Sequence, residues 1–220
     1  MPAKTILTRI LPVAAVTAGM LIAAPVADAG KKNSRTVKAT IALGDKRPLA
    51  KVRKSKAKKT KAKAASITCQ NTTLLPSAEN LELINDAILC LHNQIRAEKG
   101  LPLLRENARL RRAAVGHSTT MVNEGYFDHT SPNGNTFVDR ILSAGYAKRN
   151  DAWTLGENLA WGTGDLSTPA AMMQSWMNSS GHKANILKKA YREVGIGIRL
   201  GVPSDNGVGA TISAEFGARL

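Results

Sequence analysis

The 220-residue sequence lacks an apolar run that could span a membrane comfortably. Residues 10–24 are apolar, but this run falls short of the roughly 20 residues that a transmembrane helix needs, and Pro12 interrupts it. The sequence also lacks a Gly-x-Ser-x-Gly nucleophile motif and a His-Glu-x-x-His metal motif. These absences argue against a transmembrane segment in the mature chain and leave no sequence signature of a hydrolase.

The first 29 residues have the pattern of an export signal. Lys4 and Arg9 provide a positive start before the apolar run, and Ala27-Asp28-Ala29 forms a small-x-small cleavage signature after it. We therefore predict that residues 1–29 are a signal peptide. The mature protein would begin at Gly30 and be secreted or associated with the cell surface. The alternative is an uncleaved N-terminal anchor.

Cysteine is scarce, and its positions are informative. No cysteine lies near the predicted cleavage site, which argues against a lipid-anchored lipoprotein. Cys69 and Cys90 are the only two, and an even pair in an exported protein predicts a disulfide. Closing a loop of this length would stabilise the fold by roughly 3 kcal/mol in the chain-entropy model. Two buried free thiols are the alternative.

Acidic residues are nearly absent from the segment that follows the predicted signal. Residues 31–63 contain fourteen Lys or Arg and one acid, Asp45, whereas residues 64–220 contain fifteen basic and fourteen acidic residues. Because the basic segment has no aromatic residue, it cannot bury enough apolar surface to fold, and we predict a disordered basic tail over residues 30–65. Behind an export signal, its partners would be anionic cell-envelope polymers or lipids rather than nucleic acid. A solvated spacer is the alternative.

Residues 66–220 are sufficient for one compact domain. Apolar residues at steps of three and four predict helices, and period-two alternation predicts strands. The predicted helices cover residues 77–99, 107–124, 136–144 and 169–177, the last with Pro169 at its first position, and the predicted strands cover residues 155–162, 194–200 and 211–216. Ser77 is expected to cap the first helix, residues 179–182 to end the last one, and the last two strands to form a hairpin. This order indicates an α+β domain with a small, mostly antiparallel sheet covered by helices.

Two imidazoles and one carboxylate carry the candidate chemistry of this domain. His129, Glu157 and His182 each lie beside a turn or at the edge of an apolar run, and no two of them have helical i, i+4 spacing. They form a polar or metal-capable site only if the fold brings them together. His117, on the apolar face of the second helix, is predicted to be a satisfied core histidine, and His92 to be a surface or packing histidine.

Five short motifs are distributed along the globular part of the chain. In chain order they are Leu91-His-Asn-Gln-Ile-Arg96, Phe127-x-His129-x-Ser-Pro132, Gly156-Glu-Asn-Leu-Ala160, Trp176 followed by Ser179-Ser-Gly-His182, and Val194-Gly-Ile-Gly197. Together they resemble the CAP (SCP-like) domain of cysteine-rich secretory proteins, antigen 5 and plant pathogenesis-related proteins, in its short bacterial branch. The resemblance covers the whole globular part and implies an α-β-α sandwich.

The resemblance also implies a ligand cleft with two histidines and two acidic residues. By motif position, His129, Glu157 and His182 match three of them, whereas Ser179 stands where the second acid would lie. Two imidazoles and one carboxylate form a three-ligand set that suits zinc and leaves a position open for water. Without the second carboxylate as an orienting group, we expect weaker metal binding, with zinc favoured over calcium.

These observations favour a non-enzymatic binding module of the cell envelope or extracellular space, whose His/Glu cleft binds a divalent metal or a small ligand. One alternative is a metal- or Glu-dependent hydrolase of peptide or cell-wall bonds, in which Glu157 or His182 would be catalytic. The other is structural: Glu157 accepts turn N–H groups and His182 caps the fourth helix, while the basic tail provides surface attachment. The ligand and the oligomeric state stay open.

Overall fold

The computed structural model describes residues 27–29, 67–204 and 207–220. The predicted basic tail, and the predicted signal peptide apart from residues 27–29, lie outside the described residues. Ala27–Ala29 forms strand β1, which pairs antiparallel with residues 153–155. Cleavage after Ala29 would remove this strand, so a processed chain would lack it.

The four predicted helices lie close to their predicted positions, and the described residues contain a fifth α-helix. Within the described part of the chain they are α1 (Leu81–Glu98), α2 (Ala108–Glu124), α3 (Phe137–Ser143), α4 (Pro169–Asn178) and α5 (Ser180–Leu187). Asn107 caps α2 by accepting the N–H groups of Arg109 and Leu110, and Gly125 ends it in a left-handed conformation. None of the helices in the described ranges is both long enough and apolar enough to cross a membrane.

The predicted start of α1 is wrong by four residues. The Ser77 N–H donates to Asn80 Oδ1 at 2.8 Å, and the Asn80 N–H donates to the Ser77 carbonyl at 3.2 Å. This local side-chain bond stabilises a turn over residues 78–80 in place of a helical turn. The helix therefore begins at Leu81 instead of following directly from Ser77.

The end of α4 also differs from the prediction. Residues 179–182 were expected to end this helix, but only Ser179 interrupts it, with extended backbone angles of −95° and 125°. A new helix, α5, begins at Ser180 and buries Ile186. His182 therefore lies inside α5 and not in the turn that was expected to end α4.

The sheet contains β1, β2 (Arg105–Glu106), β3 (Trp153–Thr163), β4 (Glu193–Leu200) and β5 (Gly209–Arg219), in the order β1-β3-β5-β4-β2. β3, β5 and β4 pair antiparallel, whereas the short β2 runs parallel to β4. β4 and β5 form the predicted hairpin. β3 covers the predicted strand and extends it at both ends.

Helices cover both faces of this sheet. On one face, α2 packs against β4 and β5 and α3 packs against β3, with an apolar cluster that includes Leu110, Ile141 and Leu155. On the other face, α1, α4 and α5 pack through a larger cluster that includes Ile88 and Trp176. This arrangement is the expected α-β-α sandwich.

The first helix is fixed by one covalent bond and by buried polar side chains. The Cys69–Cys90 disulfide joins the preceding segment to α1, as predicted. His92 is fully buried beside the ring of Trp176, so it is a packing histidine, and burial lowers its pKa to about 4. The buried Arg96 guanidinium donates to the carbonyls of Pro102, Ile186, Lys188 and Tyr191. These bonds hold the end of α5 against α1.

Candidate functional site

Glu157 is the central residue of the candidate site. It lies on β3, its side chain contacts the α2–α3 layer, and it is fully buried. Glu215 lies directly opposite in the β3–β5 register and is also fully buried. Ser213, two residues before Glu215, is on the same side of β5 because side chains alternate along a strand. Two carboxyl groups therefore share one buried face of the sheet.

Four side chains surround the Glu157 carboxyl group. Arg140 on α3 donates from Nη2 to Oε2 at 2.7 Å, and His129 Nδ1 lies 2.6 Å from Oε1. Ser213 Oγ donates to Oε2 at 3.4 Å. His117 Nε2, on α2, lies 3.8 Å from Oε2. The loop before α3, both helices of this layer and β5 thus all contribute to one buried cluster, which we call the Glu157 cluster.

The two buried glutamates differ in protonation. Burial alone would raise the pKa of Glu157, but the His129 hydrogen bond and the Arg140 charge lower it to about 2. Burial and the negative charge of Glu157 raise the pKa of Glu215 well above its ordinary value. These opposite shifts keep Glu157 ionised beside Arg140 and favour the protonated form of Glu215.

These pKa shifts give the two glutamates opposite effects on stability. Because its pKa is lowered on folding, Glu157 stabilises the folded protein at pH values above about 4.3, the pKa of a glutamate in the unfolded chain. This stabilisation is lost as the pH falls toward 2. Because its pKa is raised on folding, Glu215 stabilises the folded protein at pH values below the pKa of a glutamate in the unfolded chain. This stabilisation is lost as the pH rises through the pKa of Glu215 in the folded protein.

His129 connects the Glu157 cluster with the surface. Because Glu157 is ionised and can only accept, the 2.6 Å contact requires a proton on His129 Nδ1. In the neutral imidazole, Nε2 then carries a lone pair. The side chain of His129 is 12% exposed, and its Nε2 is buried with no hydrogen-bond partner among the described residues. The lone pair of this nitrogen is therefore not satisfied by any described residue.

Arg140 joins the loop before α3 to the buried carboxylate. Its Nη1 donates to Ser131 Oγ at 3.2 Å and to the Asn135 carbonyl at 3.0 Å, while Nη2 donates to Glu157. Its Nε is buried and has no partner within the described chain. Arg140 therefore holds the loop that carries His129 and, like His129, has one polar atom left for a ligand.

His117 is a satisfied core histidine, as predicted, but it borders the cluster. Its Nε2 donates to the Asp128 carbonyl at 2.9 Å, and Tyr126 Oη lies 3.4 Å from its Nδ1. Burial lowers its pKa to about 4, despite the opposing charge of Glu157. The imidazole is therefore neutral at physiological pH and fixes the segment that leads to His129.

The structure places the backbone of His182 on the other face of the sheet. Asn158, next to Glu157, points to that opposite face and donates from Nδ2 to the His182 carbonyl at 3.1 Å. Asn185 Nδ2 donates to Asn158 Oδ1 at 2.9 Å and to the Glu157 carbonyl at 3.0 Å. His182 is fully buried on α5, and Ser179 is half-buried just before that helix. These bonds attach α5 to β3.

Among the residues that the structure describes, no group of three or more His, Cys, Asp or Glu side chains is arranged to hold a metal ion. The described geometry thus does not assemble His129, Glu157 and His182 as the three-ligand set that the sequence predicted. One donor does fit a metal, because His129 Nε2 has no hydrogen-bond partner among the described residues while Nδ1 is bonded to a carboxylate. Glu157 would then orient the ligand rather than bind the metal itself. Metal binding stays a prediction.

Sequence reasoning missed Arg140 and Glu215 as members of this cluster. A signal for Glu215 was present, because a charged residue midway along an apolar strand needs a buried partner. The motifs assigned the second acid to position 179, where Ser179 stands. The second carboxyl beside Glu157 comes instead from the opposite position on β5.

Comparisons with known proteins agree with this architecture. The model of the cysteine-rich secretory protein family (CAP) matches residues 89–209. The uncharacterized protein YkwD of Bacillus subtilis (strain 168) is 33% identical over 137 residues, which cover 62% of this chain and 50% of YkwD. The uncharacterized membrane protein YlbC of the same strain is 36% identical over 111 residues, covering 50% of this chain and 30% of YlbC. The chain thus matches half or less of the length of these relatives.

Two solved structures are similar as well. An extracellular protein containing an SCP domain from Bacillus anthracis str. Ames has a TM-score of 0.50 and 29% identity, covering 64% of this chain and 43% of that one. An outer surface protein of Borrelia burgdorferi has a TM-score of 0.52 and 19% identity, covering 66% of this chain and 97% of that one. At 19% identity, the similarity to the Borrelia burgdorferi protein shows a shared fold and nothing about function.

Proposed function

Because the chain belongs to the cysteine-rich secretory protein (CAP) family, we propose that it is an exported, non-enzymatic binding module of the cell surface or extracellular space. The extracellular SCP-domain relative from Bacillus anthracis supports export. The ligand would bind at His129, at the outer edge of the Glu157 cluster, and would be a divalent metal ion or a small polar molecule. Attachment to anionic envelope polymers or lipids through residues 31–63 stays a prediction.

The observation that carries this proposal is the orientation of the His129 ring. The bond to Glu157 fixes the proton on Nδ1 and leaves the lone pair of Nε2 buried without a partner in the described chain. A buried acceptor without a hydrogen bond costs about 1–3 kcal/mol. A ligand that donates a proton to Nε2, or accepts its electron pair, would remove that cost.

The electrostatics of Glu157 favour binding over hydrolysis. A general base works best when its pKa lies near the operating pH. Glu157, with a pKa lowered to about 2 and its oxygens bonded to His129 and Arg140, would be a weak base at neutral pH. Its geometry suits an orienting carboxylate instead.

Zinc is the metal that this site would favour. An imidazole nitrogen is a good zinc ligand, whereas calcium takes oxygen ligands. When bound, zinc would supply a Lewis acid at the surface end of the cluster. Because the described geometry offers one oriented imidazole instead of three protein ligands, we expect modest affinity.

We expect zinc to bind the wild-type protein saturably in a calorimetric titration at neutral pH, without displacement by calcium. His129→Ala should weaken zinc binding at least about tenfold, because it removes the open nitrogen. Glu157→Gln should weaken it by roughly 10- to 100-fold, because the orienting carboxylate is lost. Thermal unfolding of each variant shows whether the comparison is made between folded proteins.

His182→Ala provides the matched histidine comparison. If only His129→Ala loses affinity, the site is the one described around Glu157. Equal losses in both variants would mean that His182 joins His129 when zinc binds, as the sequence resemblance implied. Unchanged zinc affinity in a folded His129→Ala variant, or no saturable binding to the wild type, would contradict the metal proposal.

A further inference from the structure

A cavity of about 470 Å³ lies at the end of the sheet, away from the Glu157 cluster. It is formed by the start of α2, the end of β5 and the loop between α3 and β3. Its charged lining residues are Arg109, Lys148, Arg149, Asp151 and Arg219. It shares no lining residue with the Glu157 cluster.

The positive charges of this cavity are only partly balanced. Arg149 pairs with Asp139 at 2.7 Å, and Arg219 lies 3.7 Å from Glu193. Within the described part of the chain, Arg109 and Lys148 have no carboxylate within 4 Å. Asp151 adds one negative charge to the lining and accepts the Lys148 backbone N–H at 2.8 Å, so Arg109, Lys148 and Asp151 together leave a net charge of +1 to attract an anion.

The wall of the cavity is held by a carboxylate and an aromatic ring. Glu193 on β4 accepts Tyr146 Oη at 2.7 Å and Asn107 Nδ2 at 2.9 Å. The guanidinium of Arg219 lies 5.2 Å from the centre of the Tyr146 ring. That ring packs so closely on Gly217 that a Cβ there would lie 2.7 Å from it. A wall fixed in this way loses little conformational freedom when a ligand binds.

We propose that this cavity binds a phosphate group of an anionic ligand. Arginine presents a planar fork of donors that matches phosphate oxygens, and lysine adds a point charge. Arg109 and Lys148 would make the decisive contacts, since neither forms a salt bridge within the described part of the chain. Arg149 and Arg219 pair with Asp139 and Glu193, and they would add further positive charge near the bound phosphate.

Inorganic tripolyphosphate, titrated calorimetrically into the full chain at about 0.1 M salt, tests this proposal. The variant Arg109→Gln/Lys148→Gln should bind about tenfold more weakly, because two charge-assisted contacts are lost. The matched control is Lys99→Gln/Lys183→Gln, which removes the same charge from exposed positions outside the cavity. We expect the control to change affinity less than about twofold, because neither lysine lines the cavity and salt screens exposed charges that are not in contact with the ligand.

A parallel titration with a short polyglutamate separates phosphate from carboxylate. Weaker binding of polyglutamate, insensitive to the cavity variant, would support a phosphate site. Equal weakening of tripolyphosphate binding in the cavity and control variants would show attraction by net charge alone and overturn the proposal. Polyglutamate binding as tight as tripolyphosphate binding, and equally sensitive to the cavity variant, would overturn the assignment to phosphate.

Discussion

Replacing Arg140 by methionine should lower the free energy of unfolding by about 3–5 kcal/mol at neutral pH. The Arg140 side chain is 11% exposed and Glu157 is fully buried, so the substitution leaves an uncompensated negative charge in the core. Urea denaturation monitored by circular dichroism measures this loss. The deficit should shrink as the pH is lowered toward 2, because protonation of Glu157 removes that charge.

The matched control is Arg149→Met. Arg149 also forms a 2.7 Å contact with a carboxylate, that of Asp139, but the two side chains are 69% and 34% exposed. Solvent screens such a pair, and we expect a loss below about 1 kcal/mol. Similar losses in both variants would show that Glu157 is not the buried charge that Arg140 balances.

Replacing Gly197 by alanine should destabilise the protein by about 3 kcal/mol or more, because α2 lies directly against β4 at this point. A Cβ on Gly197 would lie 2.1 Å from the carbonyl carbon of Ala114 and 2.2 Å from the backbone nitrogen of Val115. Backbone atoms cannot rotate away as a side chain can, so helix and strand must separate. The midpoint and slope of urea denaturation measure the cost.

Gly116→Ala is the control for this prediction. Gly116 lies on α2 itself, is exposed, and a Cβ there would meet nothing within 4 Å. Alanine is the better helix former by up to about 1 kcal/mol, so this variant should be slightly more stable than the wild type. A Gly197→Ala variant as stable as the wild type would contradict the close packing of α2 on β4.

The parts of the fold that the sequence predicted well are those with local signals. Asn107 and Thr136 cap α2 and α3, and the turn between β4 and β5 has the composition of a hairpin. Two local signals were misinterpreted. Ser77 belongs to a turn closed by the Asn80 side chain, and the Ser-Ser-Gly stretch after Asn178 continues into another helix.

The candidate site depended on contacts that no local pattern contains. The motifs identified His129 and Glu157, which the fold does bring together. Arg140 and Glu215 were missed because their approach to Glu157 depends on the packing of α3 and on the β3–β5 register. His182 was grouped with Glu157 by motif position, whereas its backbone bonds to Asn158 on the opposite face of the sheet.

If Glu157 orients His129 for a ligand, the His129 ring must carry its proton on Nδ1 and leave Nε2 open. The nitrogen-15 NMR spectrum of the imidazole rings, recorded on the wild-type protein near pH 8, where an ordinary histidine is neutral, reports this directly. We expect a protonated Nδ1 and an unprotonated Nε2 for His129, with the Nε2 resonance changing when zinc is added. A proton on Nε2 would contradict the proposed site, because the nitrogen meant for the ligand would then be a donor.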